Sequence, residues 1–435
     1  MLDARSSRPD FEFERSESGV RYYCRNMPAI LTRGLNARVW DEAGHEYIDF
    51  LSACGALNYG HNHPILKSRI MSYLASDGIL TSLDLHTAAK RAFLKAFREA
   101  ILTPRGLDYR IQFTGPTGTN AVEAALKLAR KVTGRRTVAA FTNAFHGMTL
   151  GSMSVSGKRN DAAPEPVLPD GVTRLPYEGY LGAGIAELDR YAAMVEDPSG
   201  GEERPAAIIL EAVQGEGGLN VASSGWLRHV ARLAARLGAL LIVDDIQAGC
   251  GRTGSFFSFE KAGIRPDIVC LSKSLSGTGL PLSVLLIAPQ HDKWQPGEHN
   301  GTFRGNNLAF VSAAAALEMW KDEEFLSGVR ASSQRVWDWL TAISERYGPN
   351  HIRPKGVGLM SGLEFTNHGL TQRVCRECYR RKVLIETSGA HDEVVKIMPP
   401  LTIEPDVLDE GLDRLDDAIA SALRQSPDLG KRFAA

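Results

Sequence analysis

The stretch "ALLIVDDIQAGCGRTG" (Ala239–Gly254) indicates which fold class the chain adopts. Its apolar run has no polar interruption, and two acidic residues, Asp244 and Asp245, close it. A short continuous apolar run is typical of a strand that is covered on both faces. A second such run, "DIVCLSK", ends at Lys273. Because ligands of open α/β sheets bind beyond the carboxyl ends of the strands, we expect chemistry where each run ends.

Similar runs alternate with helical patterns, of which Ser223–Gly238 is the clearest. This alternation predicts an α/β fold with a mainly parallel sheet, in a large domain over residues 64–321. Residues 1–63 and 322–435 are predicted to form a smaller α+β domain, which is built from both ends of the chain. The strand candidates of the large domain are "RIQFTG", "TVAAFT", "AAIILEAV", "ALLIVDDI", "DIVCLSK" and "SVLLIA".

The amino-acid composition argues against several classes of protein. The chain has 435 residues, of which 43% are hydrophobic and 23% charged, so it can bury a large core. Its formal net charge of −1 argues against a nucleic-acid partner. No apolar run approaches the ~18 residues of a membrane helix, and the N-terminus lacks the apolar segment of a signal peptide. We expect a soluble cytoplasmic protein with no membrane partner.

The six cysteines are scattered along the chain, which does not indicate a disulfide framework. The "CREC" pair (Cys375 and Cys378) has no second pair nearby, and "HNH" (His61–His63) precedes a proline as a structured turn would. A zinc site would require more ligands at suitable spacing. No metal is therefore expected.

The segment "TGPTGTNAVEAALKLARKVTG" (Thr114–Gly134) predicts a helix, because its apolar residues recur with helical spacing. Asn120 and Glu123 resemble a capping box at its start. Gly118 and Thr119 then lie just before a helix N-terminus, where free N–H groups and the positive dipole end favour a phosphate. Taken alone, the pattern is also that of an ordinary helix cap.

The segment "NAFHG" follows another predicted strand and contains Phe145 and His146. Phe145 could stack on a flat ring, although a core position is an equally good interpretation of this segment alone.

Four features at consecutive strand ends favour one cofactor. They are a phosphate cradle, an aromatic platform, the acid Asp244 and the amine of Lys273. Pyridoxal 5′-phosphate requires all four, because its phosphate, its ring, its pyridine nitrogen and its aldehyde each need a partner. A Mg²⁺ phosphotransferase could use Asp244 and Asp245, but it would leave Lys273 and Phe145 without a role.

These motifs together resemble the class III (ω-) aminotransferases, which are fold type I enzymes dependent on pyridoxal 5′-phosphate. The likeness covers roughly Ile30–Leu423, and the spacing from Asp244 through "GCGRTG" to Lys273 is its most specific part. The resemblance implies that Lys273 forms a Schiff base with the cofactor and moves protons, and that Asp244 pairs with the ring nitrogen. It further implies a phosphate site at Gly118 and Thr119, ring contacts from Phe145, His146 and Gln247, and Glu211 near the substrate.

The resemblance also implies a homodimer with shared active sites, because Thr302 in "HNGTFRGNN" matches a threonine that reaches the neighbouring subunit's phosphate. Segments such as "LSKSLSGTGLP" and "PGEHNGTFRGNN" are most similar to the subgroup that exchanges amino groups between L-2,4-diaminobutyrate and 2-oxoglutarate. That subgroup uses a ping-pong mechanism with glutamate and L-aspartate 4-semialdehyde, and it serves ectoine or siderophore synthesis.

The substrate residues are a separate hypothesis and comprise Cys54, His86, Arg304 and Lys396. Lys396 in "VVKIMPPL" stands where the wider family often has arginine, and Arg304 could substitute as a carboxylate ligand. His86 and the stretch "SGKRNDAAPEPVLPDG" depart from the subgroup. Another ω-amino or keto substrate therefore stays open, as do the aminomutases, racemases and decarboxylases of the same fold.

Overall fold

The computed structural model describes residues 11–157 and 170–425. Most of the departing stretch at residues 156–171 lies outside the described residues. The strands are β1 (Leu31–Leu35), β2 (Arg38–Asp41), β3 (Glu46–Asp49), β4 (Arg110–Phe113), β5 (Val138–Phe141), β6 (Val172–Leu175), β7 (Ala207–Leu210), β8 (Val213–Gln214), β9 (Asn220–Val221), β10 (Leu240–Asp244), β11 (Ile268–Leu271), β12 (Val284–Ile287), β13 (Ile352–Val357), β14 (Met360–Phe365), β15 (Val383–Leu384), β16 (Glu386–Ser388) and β17 (Val394–Ile397).

The helices surround and connect these strands. Short 3₁₀ turns lie between them, of which Lys273–Ser276 matters for the site. The helices are α1 (Phe11–Ser16), α2 (Tyr23–Asn26), α3 (Ser52–Gly55), α4 (Pro64–Ala75), α5 (Ala88–Ala96), α6 (Gly118–Thr133), α7 (Leu150–Val155), α8 (Ile185–Glu196), α9 (Ser224–Leu237), α10 (Asn307–Glu318), α11 (Glu323–Tyr347), α12 (His368–Arg380) and α13 (Pro405–Arg424).

A seven-stranded sheet forms the centre of the molecule, in the order β4-β12-β11-β10-β7-β5-β6. All its strands run in one direction except β12, which is antiparallel to both of its neighbours. Strands β5, β7, β10, β11 and β12 are buried throughout, as their continuous apolar sequences require. The predicted α/β fold with a mainly parallel sheet is confirmed.

The edge strand β6 was not among the strand candidates. Its sequence "VTRL" contains a threonine and an arginine, and only Leu175 is buried. An edge strand covered on one side can carry polar residues, so it lacks the apolar run that marked the other strands.

The predicted capping box at Asn120 and Glu123 is wrong. Helix α6 begins earlier, at Gly118, with Thr117 as its N-cap residue. Asn120 instead accepts a hydrogen bond from the Thr117 hydroxyl, and Glu123 accepts one from the Ser152 backbone N–H at the start of α7. Glu123 therefore joins two helix starts rather than capping its own helix.

The ends of the chain form two further sheets, and β8 pairs with β9 in a third. Strand β3, from the N-terminal part, pairs in parallel with β15, and β13-β14-β17-β16 form a separate antiparallel sheet. The domain limits 1–63, 64–321 and 322–435 stay a prediction, and their outermost residues, 1–10 and 426–435, are outside the described part. Within residues 11–157 and 170–425, no helix combines the length and hydropathy needed to cross a membrane.

Arg252, in the glycine-rich loop after β10, joins the central sheet to the C-terminal part. Its fully buried guanidinium donates to Asn58 Oδ1 and to the carbonyl oxygens of Leu359 and Pro399. Burial lowers the pKa of Arg252 to about 9. The backbone N–H of Asn58 in turn donates to Ser274 Oγ at 2.9 Å, so this network reaches the turn that carries Lys273.

Candidate active site

The carboxyl ends of five central strands meet at one edge of the sheet and supply most of the predicted site residues. This convergence follows from their shared direction, since parallel strands end at the same side of a sheet. Strand β4 leads to the Gly118 loop, β5 to Phe145 and His146, β7 to Glu211, β10 to Asp244 and Gln247, and β11 to Lys273.

Gly118 and Thr119 form the first turn of α6, whose N-terminus faces this edge. A Cβ at Gly118 would lie 2.9 Å from Ile246 Cδ1, so this position accepts only glycine without displacement. Gly147 similarly packs against Thr119, where an added Cβ would come within 2.4 Å of Oγ1. Thr119 Oγ1 also lies 2.7 Å from Thr149 Oγ1. The loop is thus held tightly around a helix N-terminus that suits a phosphate.

Asp244 is buried and is oriented by two neighbours. His146 Nδ1 donates to Asp244 Oδ2 at 2.7 Å, and the Ile246 backbone N–H donates to Oδ1 at 3.2 Å. The His146 backbone N–H is itself fixed by Ser156 Oγ at 2.9 Å. This arrangement gives Asp244 a defined direction at the end of β10.

Glu211 is buried and is bonded to the backbone of Phe145. Its carboxyl group accepts hydrogen bonds from the backbone N–H groups of Phe145 at 2.9 Å and Gly215 at 3.3 Å. Burial raises the pKa of Glu211 to about 7, and the nearby Asp244 adds to this effect. Glu211 therefore holds the backbone of the half-buried Phe145 in place.

Lys273 starts the 3₁₀ turn after β11 and is half-buried. Its φ of 47° lies in the left-handed region, which a residue with a Cβ adopts at a cost of about 1–3 kcal/mol. Such strain persists where the surroundings fix the backbone, and here the hydrogen bond from Asn58 to the neighbouring Ser274 does so. The turn directs the lysine away from the regular course of the strand.

A second group of residues, the outer cluster, consists of Glu216, Lys396, Glu386, Cys54 and Tyr23. Lys396 is completely buried, and its Nζ lies 2.8 Å from Glu216 Oε1 and 2.8 Å from Glu386 Oε1. Burial alone would lower the pKa of Lys396, but the two carboxylates raise it. Burial would likewise raise the pKa of Glu216, yet Lys396 and Lys273 bring it down to about 2. Lys396 is therefore a charged ammonium held between two acids.

Cys54 and Gln247 connect the outer cluster to the strand ends. Gln247 Nε2 donates to the Cys54 carbonyl at 3.0 Å and to Glu216 Oε1 at 3.1 Å. The Cys54 thiol donates to the Tyr23 hydroxyl at 3.0 Å and lies 3.8 Å from Glu386 Oε2. Burial, followed by the charge of Glu386, raises the pKa of Cys54 to about 11, so the thiol stays protonated.

The backbone at Cys54 is unusual. Ser52, Ala53 and Cys54 have successive φ values of 47°, 49° and 56°, so the α3 turn is left-handed. Asp49 Oδ1 holds this turn by accepting the backbone N–H groups of Leu51 and Ser52 at 2.9 and 2.8 Å. The turn places the Cys54 carbonyl against Gln247.

Three predicted residues lie in other surroundings. Thr302 is in an exposed turn, and His86 is exposed near the basic face formed by Arg91, Lys95 and Arg98. Arg304 donates to the Phe113 carbonyl at 2.9 Å and to Asn300 Oδ1 at 3.1 Å. The recorded bonds of Arg304 are thus to β4 and its own loop, while Lys396 belongs to the outer cluster.

The sequence interpretation did not select Glu216, Glu386 or Tyr23. Glu216 follows Glu211 by only five residues in "EAVQGEGG", and its flanking glycines are a usable signal for a loop site. Glu386 interrupts the apolar run "VLIETSG", and an acid in a buried strand suggests a partner. Tyr23 belongs to a short helix and carries no comparable local signal.

The residues present fit pyridoxal 5′-phosphate. Gln247 Oε1 and His146 Nε2 are buried atoms that have no hydrogen-bond partner among the described residues, and Gln247 Oε1 could accept a bond from a ring hydroxyl. The Gly118 loop suits the phosphate, and Lys273 suits the aldehyde. In the described part of the chain, no group of three or more His, Cys, Asp or Glu side chains is arranged to hold a metal ion.

Comparisons with known proteins extend over both parts of the site. The family model "Aminotransferase class-III" matches residues 22–419. A diaminobutyrate–2-oxoglutarate transaminase from Nocardia farcinica is 52% identical over 408 residues, which cover 94% of this chain and 93% of that protein. A protein of the same name from Halalkalibacterium halodurans is 49% identical over 417 residues, or 96% of this chain and 97% of that protein.

Solved structures give the same result for the fold. The crystal structure of an ornithine aminotransferase from Toxoplasma gondii matches with a TM-score of 0.81 and 26% identity, covering 95% of this chain and 94% of that chain. An N-acetylornithine aminotransferase from Stenotrophomonas maltophilia matches with a TM-score of 0.73 and 28% identity, over 90% of this chain and 96% of that chain. The family match therefore spans the part of the chain that holds both the strand-end residues and the outer cluster.

Proposed function

The chain belongs to the class III aminotransferases, and we propose that it exchanges an amino group between L-2,4-diaminobutyrate and 2-oxoglutarate. The products would be L-aspartate 4-semialdehyde and L-glutamate, formed in two half-reactions of a ping-pong cycle. The reverse direction would supply diaminobutyrate for ectoine or siderophore synthesis. The observation that carries the chemistry is the meeting of Lys273, Asp244 and the Gly118 loop at one edge of the sheet.

Pyridoxal 5′-phosphate, when bound, supplies an aldehyde that takes up amino groups and a ring that delocalises the electrons left by a departing proton. Lys273 would hold the aldehyde through Nζ and afterwards carry the substrate proton. Asp244, oriented by His146, would keep the ring nitrogen protonated. Gly118 and Thr119 would bind the phosphate through backbone N–H groups.

Phe145 and Gln247 would contact the cofactor ring from the ends of β5 and β10. Glu211 would act through Phe145, since it bonds the Phe145 backbone N–H at 2.9 Å. Glu211 is thus proposed as a positioning residue that does not itself transfer a proton.

The diaminobutyrate assignment is supported by relatives of that name at 52% and 49% identity over most of both chains. The outer cluster supports an amino acid with charged groups at its far end, because it presents Lys396, Glu216 and Glu386 close to Lys273. His86 and Arg304 remain candidates for substrate contacts that only a second subunit or a bound substrate could create.

The absorption spectrum of the purified holoenzyme tests this function. Addition of L-2,4-diaminobutyrate is expected to remove the band of the lysine-bound cofactor, and 2-oxoglutarate is expected to restore it. If the band responds to glutamate but not to diaminobutyrate, the protein is a transaminase, but diaminobutyrate is not its substrate. Mass analysis of the products separates transamination from isomerisation or decarboxylation.

We also propose that two chains form a homodimer in which Thr302 reaches the neighbour's phosphate. Large exposed apolar side chains support this, because Phe303 is 70% exposed next to Thr302 and Ile79 is 63% exposed in the loop that pairs with residues 305–307. Exposed apolar residues grouped in this way are typical of an interface. Sedimentation should give twice the chain mass, and Phe303→Glu should shift it toward the monomer.

A further inference from the structure

The carboxyl group of Glu386 is buried but incompletely satisfied. Glu386 in β16 is the direct cross-strand partner of Lys396 in β17, so the β-ladder fixes the pair. Glu386 is only 8% exposed, and its Oε1 lies 2.8 Å from Lys396 Nζ without a hydrogen bond of good geometry among the described residues. A buried carboxylate normally accepts several hydrogen bonds, so this one has capacity for a further donor.

Its neighbours satisfy it only in part. Cys54 Sγ lies 3.0 Å from the Tyr23 hydroxyl and 3.8 Å from Glu386 Oε2, and its single proton can serve only one of these two acceptors. Lys396 divides its charge between Glu386 and Glu216, which lie at equal distances of 2.8 Å. Glu386 therefore shares the Lys396 ammonium with Glu216 and has only a weak contact with the Cys54 thiol.

Glu216 differs from Glu386 in this respect. Its Oε1 accepts well-formed hydrogen bonds from both Lys396 at 2.8 Å and Gln247 at 3.1 Å. Lys273 also stabilises the charge of Glu216. Of the two acids beside Lys396, Glu386 is the one that can receive another cation.

Attachment of Lys273 to the cofactor would change the charge balance around Glu216 and Glu386. While Lys273 is free, it and Lys396 both stabilise the charge of Glu216, and Lys396 also pairs with Glu386. Once Lys273 is committed to the cofactor it no longer supplies a free ammonium, and Lys396 alone faces Glu216 and Glu386. A buried site with one carboxylate in excess attracts a cation, because an uncompensated buried charge is costly.

We propose that Glu386 is a specificity-determining residue that binds the second ammonium group of a diamino acid substrate. While one amino group of the substrate would take the place of Lys273 on the cofactor aldehyde, the other would donate to Glu386 and restore the charge balance. A dicarboxylate such as 2-oxoglutarate has no ammonium and gains nothing from Glu386. This inference rests on the proposed function and names the group that would select a diamine over a monoamine.

The test compares two donors that differ only in the second amino group. They are L-2,4-diaminobutyrate and 4-aminobutyrate, offered to wild-type holoenzyme and to Glu386→Gln. Loss of a charge-assisted hydrogen bond should lower kcat/KM for diaminobutyrate by about 10- to 100-fold. The values for 4-aminobutyrate and for glutamate should change by less than about 3-fold, because neither loses that hydrogen bond.

A binding measurement provides a readout that does not depend on turnover. In the Lys273→Ala holoprotein, the equilibrium dissociation constants of the two donors are measured with and without Glu386→Gln. The second substitution should weaken diaminobutyrate selectively by a similar factor. Glu386→Asp, which keeps the charge on a shorter side chain, should retain part of the selectivity.

Glu364→Gln is the matched control, since Glu364 lies in β14 of the same sheet, on the other side of β17 from Glu386, and pairs with Arg353 at 2.7 Å. It should leave the ratio between the donors unchanged. Equal losses with both donors in Glu386→Gln would overturn the inference while leaving the proposed function intact. A wild-type enzyme that transaminates glutamate but accepts no diamino acid would overturn both.

Discussion

The strand-end residues and the outer cluster are built in contrasting ways. Asp244 and Lys273 each lie within two residues of the strand that positions them, and parallel strands bring their ends together. In the outer cluster, Lys396 meets Glu216 across 180 residues of sequence, and Cys54 meets Glu386 across 332. The proposed cofactor residues thus depend on local patterns, whereas the outer cluster depends on contacts between segments far apart in the chain.

The same difference appears in the electrostatics. Glu211 and Asp245 are buried, and desolvation, followed by smaller effects that include the charge of Asp244, raises the pKa of each carboxyl group to about 7. Glu216 is also enclosed, yet the ammonium groups of Lys396 and Lys273 lower its pKa to about 2. Desolvation therefore dominates at the strand ends, and ion pairing dominates in the outer cluster.

The largest expected effect concerns Lys273, on which all the strand-end chemistry depends. Lys273→Ala should still bind pyridoxal 5′-phosphate, because the Gly118 loop and Asp244 remain. Its rate of amino exchange should fall by about 10²- to 10⁴-fold, since the group that carries the proton is lost. Single-turnover absorption kinetics measure this rate, and near-native exchange would contradict the role of Lys273.

Lys396→Met tests the outer cluster through stability. The substitution removes the ammonium group that Glu216 and Glu386 share, which should lower the free energy of unfolding by about 3–5 kcal/mol. Urea denaturation measures the loss. Lys355→Met is a suitable control, because Lys355 in β13 bonds the amide of Asn220 rather than two acids. Similar losses in the two variants would show that the ion pairs contribute little.

Asp244→Asn tests the strand-end acid. The amide can still accept from Ile246, but it cannot carry the negative charge that keeps a ring nitrogen protonated. Exchange should fall by about 100-fold at saturating cofactor, within the range expected for such electrostatic stabilisation. Asp245→Asn is the control, because Asp245 is bonded to Ser258 and takes no part in the proposed chemistry. Equal losses of exchange rate in both variants would show that a residue other than Asp244 pairs with the ring nitrogen.

The smallest effect is the pH dependence that Asp245 gives to stability. Its folded pKa of about 7 lies above the ordinary value of 3.8, so its contribution is fully present below about pH 4. That contribution is lost as the pH rises through about 7, at a slope of about 1 kcal/mol per pH unit.

Asp245→Asn lacks this titration, while Glu211 titrates alike in both proteins. The stability difference in favour of the variant should therefore grow between pH 4 and pH 7, as measured by denaturation at each pH. A constant difference over that range would show that Asp245 titrates near its ordinary pKa in the folded protein.

Sequence patterns predicted the central sheet well because its strands are covered on both faces and must be apolar throughout. They missed β6, whose edge position tolerates Thr173 and Arg174. They also misjudged the start of α6, because Asn120 and Glu123 have the spacing of a capping box but bond to other partners. The spacing of residues does not show with which of several neighbours a polar side chain will form a hydrogen bond.

The sequence by itself determined the fold class and the family, and it placed Asp244 and Lys273 at neighbouring strand ends. It could do so because buried strands and the turns after them are encoded within a few adjacent residues. Only the tertiary structure decided that Lys396 lies between Glu216 and Glu386, and that Tyr23 and Cys54 adjoin them. Those contacts join segments far apart in the chain, and no local periodicity records them, because they arise from tertiary packing between those segments.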